Sequence, residues 1–191
     1  MKKYSVILAD PPWKYRVYDE SDTAHGAARA HYQTMTIDEI KVLPVGDIVN
    51  KNCALFLWAT MPCIPEALEV MKAWGFKYKT VAFVWVKTNK KGGIWLGLGH
   101  YTRGNAELCL LGIRGKMKRK SARVSQVIMS PRREHSRKPD EQYGRIMELY
   151  DGPYIELFAR QKYPGWDAWG NEVGRFSVEC GSYIKAMPLR F

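Results

Sequence analysis

The stretch Tyr4-Ser5-Val6-Ile7-Leu8-Ala9-Asp10-Pro11-Pro12-Trp13 decides how the rest of the chain is read. Aliphatic and β-branched residues halted by two prolines predict a short buried strand that ends abruptly. A carboxylate then stands at the strand's C-terminal end, the edge where open α/β sheets bind ligands. Each proline fixes φ and lacks an N–H, so the turn is stiff and leaves the Asp10 and Pro11 carbonyls as acceptors. With the Asp10 side chain they suit a ligand that presents an amino group, and Trp13 offers a flat face for the ring carrying it. The competing reading is a strand-ending Asp-Pro turn over a core Trp.

Outward from that strand, apolar runs alternate with helical patterns. Residues 14 to 33 form a long polar stretch that leaves directly from the proposed site, the behaviour of a functional lid. Thr36 with Glu39 makes a capping box for a short helix that Pro44 ends. Cys53 to Trp58 reads as a strand covered on both faces. Pro62 to Trp74 reads as a helix with Ile64, Ala67, Leu68, Met71 and Trp74 on one stripe and Gly75 as its stop. Phe76 to Val86 and Ala106 to Ile113 are further strands, separated by a glycine-rich loop that lacks a dinucleotide-binding fingerprint. Pro139 opens a last helix, and Tyr154 to Ala159 makes the last clear strand. The alternation predicts one α/β domain with a mostly parallel sheet. Asp10, Thr60, Lys87 and Arg160 each follow a predicted strand, so parallel strands bring them to one edge, where their charges suit a zwitterionic, hydroxyl-rich cofactor.

The 191 residues are 46% hydrophobic and 13% aromatic, enough for one domain with a substantial core. No run approaches the ~18 apolar residues of a membrane span, and the N-terminus has no signal-peptide core, which predicts a soluble, cytoplasmic protein. Cys53, Cys63, Cys109 and Cys180 lack paired metal-ligand spacing, so no metal is expected. Thirty Lys and Arg against 19 Asp and Glu leave a net charge of +11, which favours a polyanionic partner. The excess gathers at Arg114, Lys116, Lys118, Arg119, Lys120, Arg123, Arg132, Arg133, Arg137 and Lys138, against the single acid Glu134. That tract is expected to bind phosphates; an exposed solvated loop is its alternative.

The tetrapeptide Asp10-Pro11-Pro12-Trp13 resembles the signature of methyltransferases that act on the exocyclic amine of adenine. Further matching stretches are His31 to Thr36, Phe56 to Thr60, Trp85 to Asn89, Gly99-His100 with Glu107, His135 to Glu141, Ile155 to Arg160, Gly165-Trp166 and Gly170 to Glu172. In this order they are similar to the family of the catalytic subunit of the eukaryotic mRNA adenosine methyltransferase and its small prokaryotic and phage relatives. The resemblance implies a Rossmann-like methyltransferase domain over residues 1–175 with a tail at 176–191. It also implies S-adenosylmethionine as methyl donor. By the resemblance, Asp10, Pro11, Pro12 and Trp13 are catalytic. Asp10, Lys87, Glu156, Leu157, Phe158, Arg160, Asn171 and Glu172 hold the cofactor, with Lys87 on the methionine carboxylate. Tyr32, Arg119, Lys120, Arg132, Arg133, His135 and Lys138 are the expected substrate contacts. The expected partner is nucleic acid, DNA rather than RNA, bound by a monomer or homodimer; a partner subunit stays open. A non-catalytic nucleic-acid-binding member is the rival reading.

Overall fold

The computed structural model describes residues 2–14, 34–99, 101–133 and 136–176. Strands β1 (Tyr4–Ala9), β2 (Val49–Ala59), β3 (Lys77–Thr88), β4 (Ala106–Arg114), β5 (Val127–Pro131), β6 (Tyr154–Leu157) and β7 (Trp166–Trp169) form a single sheet. Its order is β5-β3-β4-β2-β1-β6-β7. Helices α1 (Ile37–Lys41), α2 (Ile64–Ala73) and α3 (Glu141–Leu149) cover it.

The sheet is parallel except for β4, which runs against both β2 and β3. This reversal has a sequence cause: no helix separates β3 from β4, and a parallel return needs a crossover of a dozen or more residues, usually helical. Lys87, expected just past its strand, lies within β3, paired across the ladder with Ser130. The four-residue β7 was not anticipated, and β6 is two residues shorter than expected.

Alternation along β1 and β2 explains why both read as unbroken apolar runs. Ile7, Ala9, Leu55 and Leu57 enter one core with Ala67, Val70, Met71 and Trp74 of the α2 side. Val6, Leu8, Phe56 and Trp58 enter a second core with Phe83, Trp85, Tyr143 and Ile146 of the α3 side. Successive strand side chains point to opposite faces, so a strand buried on both must be apolar throughout. The capping box at α1 is present, with Glu39 N–H donating to Thr36 Oγ1 and Thr36 N–H to Glu39.

Among the described residues no helix is long and apolar enough to cross a membrane. Nor does any group of three or more His, Cys, Asp or Glu there have the arrangement to hold a metal ion.

Candidate active site

Parallel β1, β2, β3 and β6 deliver Asp10, Thr60, Lys87 and Arg160 to one sheet edge. The reversed β4 adds its start, and therefore Glu107, to the same edge. A chain of buried charges results. Lys138 Nζ donates to Asp10 Oδ2 at 2.8 Å and pairs with Glu107 Oε2 at 3.2 Å, while Glu107 Oε1 pairs with Lys87 Nζ at 2.6 Å. Burial opposes the Glu107 charge, but Lys138 and Lys87 outweigh it and hold the carboxyl below the ordinary range.

A pocket opens beside this chain, lined by Asp10, Lys138, Tyr143, Glu156, Arg160 and Gln161, with Arg137, Gln142, Phe158 and Phe176 completing its wall. Tyr143 donates to Glu156 Oε2 at 2.8 Å, and Gln161 Nε2 donates to Asp140 Oδ1 and Tyr143 Oη at 2.9 and 3.1 Å. Burial pushes the Glu156 carboxyl up to about 8; Tyr143's hydrogen bond works against this, and the nearby Asp10 and Asp140 charges add to it. Among the described residues Gln161 Oε1 is buried without a hydrogen-bond partner, an unmet acceptor in the pocket wall. Phe158 has φ 61°, a left-handed conformation costly for a non-glycine residue and tolerated mostly at functional sites. Together the wall offers acceptors at Asp10, Glu156 and Gln161 and cations at Lys138 and Arg160. That donor and acceptor set fits a zwitterion with an ammonium and a carboxylate.

Several expected residues stand elsewhere. Trp13 is only 5% exposed, and its indole N–H donates to the Trp58 carbonyl at 2.9 Å; the ring is core and presents no stacking face, which corrects that expectation. The Pro11 carbonyl already accepts the Trp13 N–H at 2.8 Å, leaving one lone pair. Pro12 O accepts from Met35 N–H. Lys87 does not line the pocket, because Glu107 holds it. Leu157 is core. Asn171 is exposed, and Glu172 reaches the site only through Arg160 at 3.4 Å, while also pairing with Arg175. Phe176, expected to begin a tail, lines the pocket and donates its N–H to Arg160 O. Tyr32 and His135 lie outside the described residues.

The basic tract is not one surface. Lys138, at 8% exposure, is inside the site and not on an outer phosphate-binding face. Arg133 makes a two-pronged pair with Asp140 at 2.8 and 2.9 Å. Arg132 is exposed at the site edge, its guanidinium 3.9 Å from the Trp95 ring centroid. Arg119 and Lys120 follow the end of β4, the opposite edge of the sheet, and Lys120 pairs with Asp151 at 2.6 Å. The physical reason is β5, which carries the chain across the sheet between Arg123 and Arg132.

The sequence profile of the MT-A70 family matches residues 4–172. Type II methyltransferase M.MunI of a Mycoplasma species is 35% identical, over 93% of this chain and 81% of its own length. A putative N(6)-adenosine-methyltransferase MT-A70-like protein of Medicago truncatula is 34% identical over 90% of this chain. The human N(6)-adenosine-methyltransferase catalytic subunit METTL3 is 32% identical over the same share. The chain spans only 26% and 28% of the length of these last two. Fold and relatives together define a Rossmann-like methyltransferase. The chain belongs to the MT-A70 family.

Proposed function

We propose a division of labour for the adenine-N6 methyltransferase that this chain is: Asp10 and Pro11 hold the target amine, and the pocket beside them holds the ammonium and carboxylate end of S-adenosylmethionine. The single observation that carries this is Asp10 at the mouth of β1, between the buried Lys138 and the acceptor-rich wall of Glu156 and Gln161. Lys138 and Arg160 are the cations for the donor's carboxylate and ribose hydroxyls, so the role expected of Lys87 passes to Lys138. Asp10, Glu156 and the unmet Gln161 Oε1 are the acceptors for its ammonium. When bound, S-adenosylmethionine supplies an electrophilic methyl group on a sulfonium.

The residues of this chain do the rest by orientation and electrostatics. The adenine amine is a weak nucleophile because its lone pair is delocalised into the ring. Asp10 Oδ1 and the remaining lone pair of Pro11 O accept its two N–H groups, which favours a pyramidal nitrogen with its lone pair aimed at the methyl. The carboxylate also offsets the positive charge that develops on nitrogen. As the N–C bond forms, the methyl's bond to sulfur would break and its electron pair would leave on a neutral thioether; the nitrogen then sheds one proton, for which Asp10 is the adjacent acceptor. Lys138 donates to Asp10 Oδ2 and fixes that oxygen, leaving Oδ1 for the amine. Arg132 stacked on Trp95 gives the site edge a cation on an aromatic platform, suited to a phosphate next to a base.

DNA is the proposed polymer. The support is the match to the type II methyltransferase, 35% identical over 93% of this chain. Residues 1–175 are read as the methyltransferase unit, extended by Phe176 in the pocket wall. The test is methyl incorporation from labelled S-adenosylmethionine into matched DNA and RNA, single- and double-stranded, with Asp10→Asn as control. Label at adenine N6 of DNA, lost in the variant, supports the reading; label in RNA alone replaces the polymer. Donor binding without label in any polymer refutes it. Light scattering during turnover separates monomer, homodimer and partner-dependent forms.

A further inference from the structure

At the sheet edge opposite the site, a cleft of about 370 Å3 is lined by Lys79, Lys116 and Arg119 over Leu111, Ile113, Met117 and Tyr150, with Gly115 at its rim. Three cations share this lining with no carboxylate. Lys79, Lys116 and Arg119 are exposed, and no ion pair joins them to an acid among the described residues. This sets them apart from Lys120 nearby, which Asp151 neutralises, and from Arg145, which Glu141 neutralises. The floor is apolar and includes the buried Tyr150 ring. Cations along the rim of a cleft match the backbone phosphates of a polyanion.

The cleft and the active site lie on the same face of the sheet. Gln142 and Tyr143, at the start of α3, line the active-site pocket, and Tyr150, just past its end, lines the cleft. Along β4, Glu107 belongs to the charge chain and Ile113 to the cleft; six residues of strand separate them by roughly 20 Å. At about 3.4 Å per base pair, that is on the order of six base pairs.

We propose that this cleft is a second nucleic-acid contact, which grips a backbone phosphate about six base pairs from the adenine being methylated. The inference rests on the functional reading above. It assigns Lys79, Lys116 and Arg119 to affinity for long substrates and leaves the chemistry to the opposite edge. Substrates that extend far enough are held at both edges of the sheet; shorter ones are held at one.

The test compares wild type, the triple variant Lys79→Gln/Lys116→Gln/Arg119→Gln, and a control of equal charge loss, Lys3→Gln/Lys72→Gln/Lys162→Gln. Binding of a fluorescent 25-base-pair duplex is measured by anisotropy from 50 to 300 mM salt, with methyl transfer to the same duplex in parallel. Each lost phosphate contact lowers the slope of log K against log salt by about 0.9. The cleft variant, which gives up the one proposed phosphate contact, is expected to lower it by about 0.9, weaken binding about tenfold near 0.1 M salt and keep kcat at saturating duplex. The control is expected to stay within twofold of wild type. Equal losses in both variants reduce the effect to net charge and overturn the proposal; so does no loss in either. Wild type that neither binds nor methylates the duplex refutes the functional reading instead.

Discussion

Replacing Glu156 by Gln removes a buried carboxyl whose pKa stands at about 8 against an ordinary 4.5. The direction of the effect follows from proton linkage. Between those two values the native state keeps a proton that the unfolded chain gives up, so stability falls as pH rises through that window. Below about pH 4.5 both states hold the proton and the residue costs nothing; above about pH 8 the full penalty applies. At 1.36 kcal/mol per unit, the gap corresponds to roughly 5 kcal/mol. The opposing Tyr143 hydrogen bond is already contained in the value of about 8, so the expected effect is about 3–5 kcal/mol. Gln carries no titratable proton, fills the same volume and keeps a partner in Tyr143. Glu156→Gln is therefore expected to match wild type within about 1 kcal/mol at pH 5 and to exceed it by about 3–5 kcal/mol at pH 9. For a domain of this size that is a rise in Tm of roughly 10 °C. Cys53, Cys63 and Cys109, whose thiols burial also pushes up, shift both proteins alike and cancel in the difference. Denaturant unfolding at half-unit pH steps from 5 to 9 reads the curve. A difference that stays flat across the series would refute the reasoning, because it would mean that Glu156 is already ionised in the fold.

Three further outcomes follow from the same geometry. Lys138→Ala takes the ion-pair partner from the Asp10 carboxylate, while Lys87 still holds Glu107, and is expected to cost about 3–5 kcal/mol of stability, with at least half returned in the double variant with Asp10→Asn; urea unfolding of the pair checks it. Trp13→Ala is expected to cost about 3–5 kcal/mol, since it empties a core position and orphans the Trp58 carbonyl. Unchanged stability with a raised KM would restore the base-stacking role for that ring. At Gly170 an added Cβ would meet Ala159 N and O at 2.6 Å. Gly170→Ala must therefore push the backbone after β6 away, and calorimetry with S-adenosylmethionine is expected to show weaker binding with a destabilisation of about 1–3 kcal/mol.

The sequence revealed the edge but not everything gathered on it. Asp10, Thr60 and Arg160 were placed correctly because an apolar run followed by a polar residue marks a strand end whatever its neighbours are. Glu107 escaped because it opens its strand; only the reversal of β4 brings a strand's first residues to that edge. The signal was present in the helix-free stretch between β3 and β4, which lacks the helix that a parallel crossover usually carries. The basic tract misled for a related reason. Its charges are contiguous in sequence, but the five residues of β5 cross the sheet in the middle of it and send the two halves to opposite edges. Trp13 misled because the same side chain suits a stacking platform or a core, and burial is a property of packing that a tetrapeptide does not contain. Arg132 on Trp95 joins two loops far apart in the chain, a pairing that only the β3–β5 ladder creates.

The reversal of β4 also makes the loop between β3 and β4 interchangeable. Residues 89–105 leave β3 and re-enter β4 with both ends fixed by the ladder that pairs Val86 with Ala106. Lengthening this segment leaves the register of every strand untouched, and each doubling of its length costs only about 0.6 kcal/mol in closure entropy. Length and sequence can thus diversify in one segment while Asp10, Lys138 and Glu107 stay in place. A transplant of residues 89–105 between members of the family is the corresponding engineering route: one cassette, two anchored ends and an unaltered catalytic edge.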